Sequence, residues 1–115
     1  MTISAQLVSF NRHMALDRVG GDEELLREVL AIFLTEYPEL VGKLEQAVER
    51  GDAVLLERSA HTLKGSLSTI GAEIAAHNAF LLEVMGRAGQ LEGAGEQLRQ
   101  LGESLSTLRE ELART

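Results

Sequence analysis

The chain has no cysteine and no tryptophan, a single proline, and only 3% aromatic residues over 115 positions. Without cysteine there are no disulfides and no thiolate metal sites. With so few aromatic side chains, a sheet sandwich is disfavoured, because strands draw on aromatic and β-branched residues. Positive charge is also scarce: 11 Lys and Arg face 18 Asp and Glu, for a net charge of −7. No basic cluster is present to neutralise a phosphate backbone, so nucleic acid is not an expected partner. No apolar run approaches the ~20 residues that a membrane span requires. Met1 to Phe10 has no basic residue followed by an apolar stretch, so it does not read as a signal peptide. A cytoplasmic protein away from the membrane is the expectation. His13, His61 and His77 are not at ligand spacing, and no metal site is expected.

What is present favours helix. Leu, Ala, Glu and Arg dominate, and the 44% of hydrophobic residues suffice for one packed core. A single domain over 1–115 is expected. In the segment 22–50, Leu26, Leu30, Phe33, Tyr37, Leu40, Leu44 and Ala47 recur at alternating steps of four and three, one stripe on a helix. Asp22 suits an N-cap and Gly51 a left-handed C-cap. Pro38 interrupts the pattern without changing its phase, which predicts one bent helix and not two. Asp52 caps a second helix over 52–70, with Leu56, Leu63, Leu67 and Ile70 inward. A third helix over 72–87 carries Ile74, Asn78, Leu81 and Met85 as its stripe, with Gly86 and Gly89 marking a turn. The fourth spans 91–114 on Leu91, Ala94, Leu98, Leu101, Leu105, Leu108 and Leu112. Its glycines at 93, 95 and 102 leave its first turn prone to fraying. Residues 1–20 form a short helical cap. Phe80, Val84 and His77 make a second apolar face, which that N-terminal segment is expected to cover. The fold class is all-α: an antiparallel up-down four-helix bundle with an N-terminal helical extension.

The chemically informative segment is Ala60-His61-Thr62-Leu63-Lys64-Gly65-Ser66-Leu67-Ser68. On a helical wheel His61, Lys64, Gly65 and Ser68 share the face opposite Leu63 and Leu67, with Glu57 one turn earlier. A glycine inside a helix costs ~1 kcal/mol relative to alanine. Gly65, on the exposed face, gains no packing in return, and such local violations mark function. Missing bulk there lets another surface approach the imidazole, and Lys64 puts an ammonium beside whatever the ring carries. Taken alone, His61 would be a solvated histidine and Lys64 a solvent lysine; the combination favours function. Ser66 lies to one side and is expected to bond locally to the backbone. Ser68 is either a partner contact or a solvated serine. Glu83 falls level with His61 across the Gly71 turn, and an ordinary charged position is the expected reading over a hydrogen bond to the ring.

These residues resemble the histidine phosphotransfer (HPt) domains of two-component phosphorelays, whose pattern is roughly His-x-Leu-Lys-Gly-Ser-(Ser/Ala)-x-x-x-Gly-Ala. His61, Leu63, Lys64, Gly65, Ser66, Gly71 and Ala72 match it. Gly20-Gly21-Asp22, Phe33, Gly51-Asp52 and Leu82-Glu83 are also similar, so the likeness runs from about residue 14 to the C-terminus. Leu67 departs from the family's small residue and should point into the core. The resemblance implies that His61 is the phosphoacceptor, through Nε2, between receiver-domain aspartates. Lys64 would support the phosphoryl charge and Gly65 would form a docking floor, with Ser66, Ser68, Glu57 and Glu83 as weaker binding positions. It implies no cofactor in this chain, with Mg²⁺ held by the partner receiver. Receiver domains and a sensor or hybrid histidine kinase are the implied partners, and the chain is a monomeric carrier with no self-sufficient enzyme activity. It would be free-standing or the end of a hybrid kinase. Two other readings remain: a helical docking or dimerisation module without chemistry, and an autonomous enzyme using His61 as general base. The latter lacks a recognisable second catalytic group.

Overall fold

A computed structural model describes residues 7–114. Five helices follow one another: α1 (Arg12–Arg18), α2 (Glu23–Arg50), α3 (Ala53–Thr69), α4 (Glu73–Ala88) and α5 (Ala94–Ala113). Among the described residues there is no strand. Helices α2 to α5 pack in a closed circuit, α2 on α3, α3 on α4, α4 on α5 and α5 back on α2. Short turns join sequential neighbours, which makes the bundle antiparallel.

The helix boundaries follow local chemistry. The carboxylates of Asp22 and Asp52 accept from the backbone N–H groups of Leu25 and Leu55, each at 3.0 Å, and so cap α2 and α3. Gly51 ends α2 at φ +68°, in the left-handed region that favours glycine. Helix α2 runs unbroken through Pro38. At its two ends the stripe is buried as expected, at Leu26, Leu30, Phe33, Leu44 and Ala47, whereas Tyr37 and Leu40 in the middle are half-buried. In α3, Leu56, Leu63, Leu67 and Ile70 are all buried. Leu67, the departure from the family pattern, is fully enclosed in the core.

Two expectations need correction. Helix α4 does not bury Ile74, Asn78, Leu81 and Met85; it buries Ala75, Ala76, Ala79, Leu82, Glu83 and Gly86. The true stripe is one residue further on, a rotation of about 100°. Small residues cause the error: α4 meets its neighbours through alanine and glycine, which a reading weighted by large apolar side chains overlooks. Gly86 belongs to this contact and not to the turn, since an added Cβ there would lie 2.6 Å from the backbone N of Glu57 and 2.8 Å from the carbonyl O of Ala53. Helix α5 starts at Ala94, later than residue 91, because Gly93 takes φ +85° and the preceding residues form a turn.

The N-terminal expectation is met in part; residues 1–6 of the proposed 1–20 cap lie outside the described residues. Asn11 caps α1 by accepting from Met14 N–H. The segment before α1 lies across the α3–α4 turn: Asn11 N donates to Gly71 O at 2.8 Å, and Ile74 N donates to Val8 O at 3.1 Å. The Glu73 carboxylate accepts from Val8 N and Asn11 Nδ2, each at 3.1 Å. The described part of this segment therefore covers the turn and not Phe80 and Val84, which are both 40% exposed.

Candidate functional site

Buried Leu63 and Leu67 fix the rotation of α3 and turn His61 outward, with 66% of its side chain exposed. Gly65 lies one turn on; an added Cβ there meets nothing within 4 Å. The imidazole therefore stands over open helix surface. On one side of it, α2 and α3 flank a groove of about 540 Å³ walled by Val29, Ile32, Tyr37 and Leu40 and floored by Gly65 and Ser66. Sequence reasoning assigned Tyr37 and Leu40 to the core; they are its rim.

The other side of the ring faces α4, where the close crossing at Gly86 brings Glu83 against α3. Glu83 is 2% exposed. Its Oε2 accepts from His61 Nδ1 at 2.8 Å and from Arg87 Nη2 at 2.8 Å. Lys64 Nζ lies 2.6 Å from Oε1, an oxygen without a well-oriented hydrogen bond, so the ammonium meets it chiefly as a charge. Lys64 holds the Glu83 carboxyl below the usual carboxylate range, against the upward push of burial, and His61 adds to the lowering. A carboxylate that is ionised at neutral pH can only accept. Nδ1 must then carry the ring proton, which leaves the lone pair of the neutral ring on Nε2. Among the described residues Nε2 has no partner.

The expectation that Glu83 is an ordinary charged position is thus reversed: it is the hub of the cluster. Glu57 joins through Arg87, whose Nε donates to Glu57 Oε2 at 3.2 Å. Arg87 was missed by sequence reasoning, although it lies four residues after Glu83, the spacing at which helical side chains meet. Lys64 also sits 5.4 Å above the centre of the Phe80 ring, a cation–π distance. Ser66 borders the groove, but among the described residues its hydroxyl makes no hydrogen bond, so the expected local bond to backbone is not formed. Ser68 shares the exposed face two turns from His61, about 10 Å along the axis; its carbonyl accepts from Arg18, and its side chain is not brought to the ring. His13 and His77 are exposed and separate from the cluster, His77 lying beside Phe80 with ring centres 6.4 Å apart. Among the described residues no group of three or more His, Asp or Glu side chains is placed to hold a metal ion, and no helix is long and apolar enough to cross a membrane.

Known proteins share this arrangement. The Hpt domain family pattern matches residues 28–111. Histidine-containing phosphotransfer protein 4 of Arabidopsis thaliana is 34% identical over 103 residues, covering 86% of this chain and 81% of that protein. The crystal structure of histidine-containing phosphotransfer protein B from Pseudomonas aeruginosa PAO1 superposes with a TM-score of 0.86 at 24% identity, over 92% of both chains, and shows the same helical fold. The match of the family pattern across α2 to α5, together with the exposed histidine on the second bundle helix, establishes that this chain belongs to the Hpt domain family of phosphorelay proteins.

Proposed function

We propose that the chain relays a phosphoryl group between receiver-domain aspartates by carrying it on Nε2 of His61. The observation that supports this best is the division of the ring: Nδ1 is held at 2.8 Å by the buried Glu83, while Nε2 is free and stands over the empty surface at Gly65. In the forward step the Nε2 lone pair attacks the phosphorus of an aspartyl phosphate. The N–P bond forms as the P–O bond to the aspartate breaks, and the aspartate leaves as a carboxylate. The ring keeps its Nδ1 proton and gains positive charge, which the Glu83 carboxylate faces. This is the role an acidic group plays toward a histidine whose charge rises during reaction. The reverse step returns the phosphoryl group to a second receiver.

Transfer of this kind relies on positioning and on charge stabilisation around three phosphoryl oxygens. Here Lys64 supplies nearby positive charge, and the Gly65 surface with the α2–α3 groove receives the partner. The Mg²⁺ ion is assigned to the receiver, so the chemistry is shared and this chain acts as carrier. Receiver domains and a sensor or hybrid histidine kinase are the partners, the carrier is monomeric, and the cytoplasm is its compartment. Ser66 and Glu57 border the site and act as supporting positions, whereas Ser68 contributes only to the contact face.

The test is incubation with a phosphorylated receiver domain, followed by analysis of the label. An acid-labile, base-stable label is expected on the parent chain and none on His61→Gln. Label that survives the substitution would end this reading. Receiver binding without any label on the parent would instead favour a docking module without chemistry.

A further inference from the structure

The Glu83 carboxylate poses a problem for the nucleophile it orients. An opposite charge within hydrogen-bond distance favours the protonated imidazole, and a ring protonated on both nitrogens has no lone pair for attack. A lone carboxylate at this depth would therefore trap His61 as imidazolium. It is also costly to bury such a group unless it is paired. Two cations answer both needs. Lys64 Nζ is 2.6 Å from Oε1, and Arg87 Nη2 is 2.8 Å from Oε2, the oxygen that also holds Nδ1. Lys64 is half-buried, with 28% of its side chain exposed and its charge over the Phe80 ring, so it is fixed at the base of the site. Arg87 is in turn steadied by Glu57 at 3.2 Å.

We infer that Lys64 and Arg87 are positioning residues that act on His61 through Glu83: they balance the buried carboxylate so that it can fix the Nδ1–H tautomer without drawing a second proton onto Nε2. In the unphosphorylated protein Lys64 thus serves the carboxylate and not an incoming phosphate. The charged and titratable groups facing this cluster are few. From α3 come Glu57 and Lys64, with Arg58 lining the same cleft; from α4 come Glu83 and Arg87, with His77 behind Phe80; from α2, Glu36 lines the groove on the far side. The two cations on Glu83 are the nearest counter-charges to it.

The inference rests, for its kinetic half, on His61 being the phosphoacceptor, and two measurements separate the two claims. The first needs no phosphoryl chemistry. Nitrogen-15 NMR of the imidazole in the isolated protein reports both tautomer and second protonation as pH is lowered. Lys64→Met and Arg87→Met should each move second protonation of His61 to higher pH by about one unit. Lys64→Arg, which keeps the charge, should move it little. In a Glu83→Gln background the effect of Lys64→Met should vanish, and the Nδ1–H tautomer should lose its dominance.

The second measurement uses phosphoramidate as a small donor, comparing each variant with its parent at equal pH. Lys64→Met should be slower by about tenfold near about pH 6 and approach the parent above about pH 8. A uniform slowing at every pH, undiminished in the Glu83→Gln background, would overturn the inference, because that is how a direct phosphate ligand behaves. An unmoved NMR titration in Lys64→Met would overturn it as well. If the NMR moves as stated and no label forms on the parent, the phosphocarrier reading fails and the inference about the cluster stands.

Discussion

Helix α3 carries a neighbour on one face and a vacancy on another, and two glycines mark the difference. At Gly86 of α4 the missing side chain is filled by the backbone of α3, at Ala53 and Glu57. At Gly65 on α3 itself the missing side chain is filled by nothing within 4 Å. The first glycine allows two helices of one chain to touch. The second keeps a surface clear for a molecule that is not part of the chain. The same residue type, inside a helix in both cases and unfavourable there by propensity, serves an internal contact and an external one. The two are also linked. The close approach at Gly86 sets the distance from α4 to α3, and Glu83, one turn before it, reaches His61 and Lys64 only because of that approach.

The contrast is broken most forcefully at the internal glycine. Gly86→Ala forces a Cβ into backbone and should cost about 1–3 kcal/mol by overpacking. Urea unfolding would register the loss, and the His61–Glu83 hydrogen bond should weaken with it. Stability equal to the parent would mean that the crossing is not held where the glycine suggests.

The external glycine should behave in the opposite way. Gly65→Gln adds bulk on open surface and replaces a poor helix former, so stability should be unchanged or improved by up to ~1 kcal/mol. Transfer from a receiver should nonetheless slow by about tenfold, or ~1.4 kcal/mol of barrier. Circular dichroism beside the transfer assay checks both halves, and normal transfer with the glutamine in place would remove the role given to this surface.

A smaller effect, in acid, sharpens the comparison. The folded protein holds the Glu83 carboxyl below its ordinary value. Its contribution to stability is therefore complete above the unfolded-state value and is lost as pH falls through the lowered one. The stability difference between the parent and Glu83→Gln should be widest near neutrality and shrink on acidification. Unfolding curves across that range test the sign, and a difference that grows in acid would contradict it.

Much of this molecule was legible as sequence. The N-caps at Asp22 and Asp52, the left-handed Gly51 and the burial of Leu56, Leu63 and Leu67 arise from contacts within a turn or two. Periodicity reports such contacts directly, and it placed His61 and Gly65 on the outer face for the same reason. The buried face of α4 was misread because alanine and glycine carry little hydropathy signal even where they form the tightest contact. Glu83 was undervalued for a related reason: a charged residue beside Leu82 reads as solvent-facing until its cationic partners on another helix are known. Arg87 and the rim of the groove at Tyr37 and Leu40 were missed because their significance lies across an interhelical gap.

By itself, then, the sequence determined the helices, their ends, and the outward direction of one imidazole, since these depend on residues three and four apart. The tertiary structure alone decided how close α4 comes to α3. With that distance it decided which ring nitrogen keeps the proton, because a buried carboxylate orients a histidine only within hydrogen-bond reach.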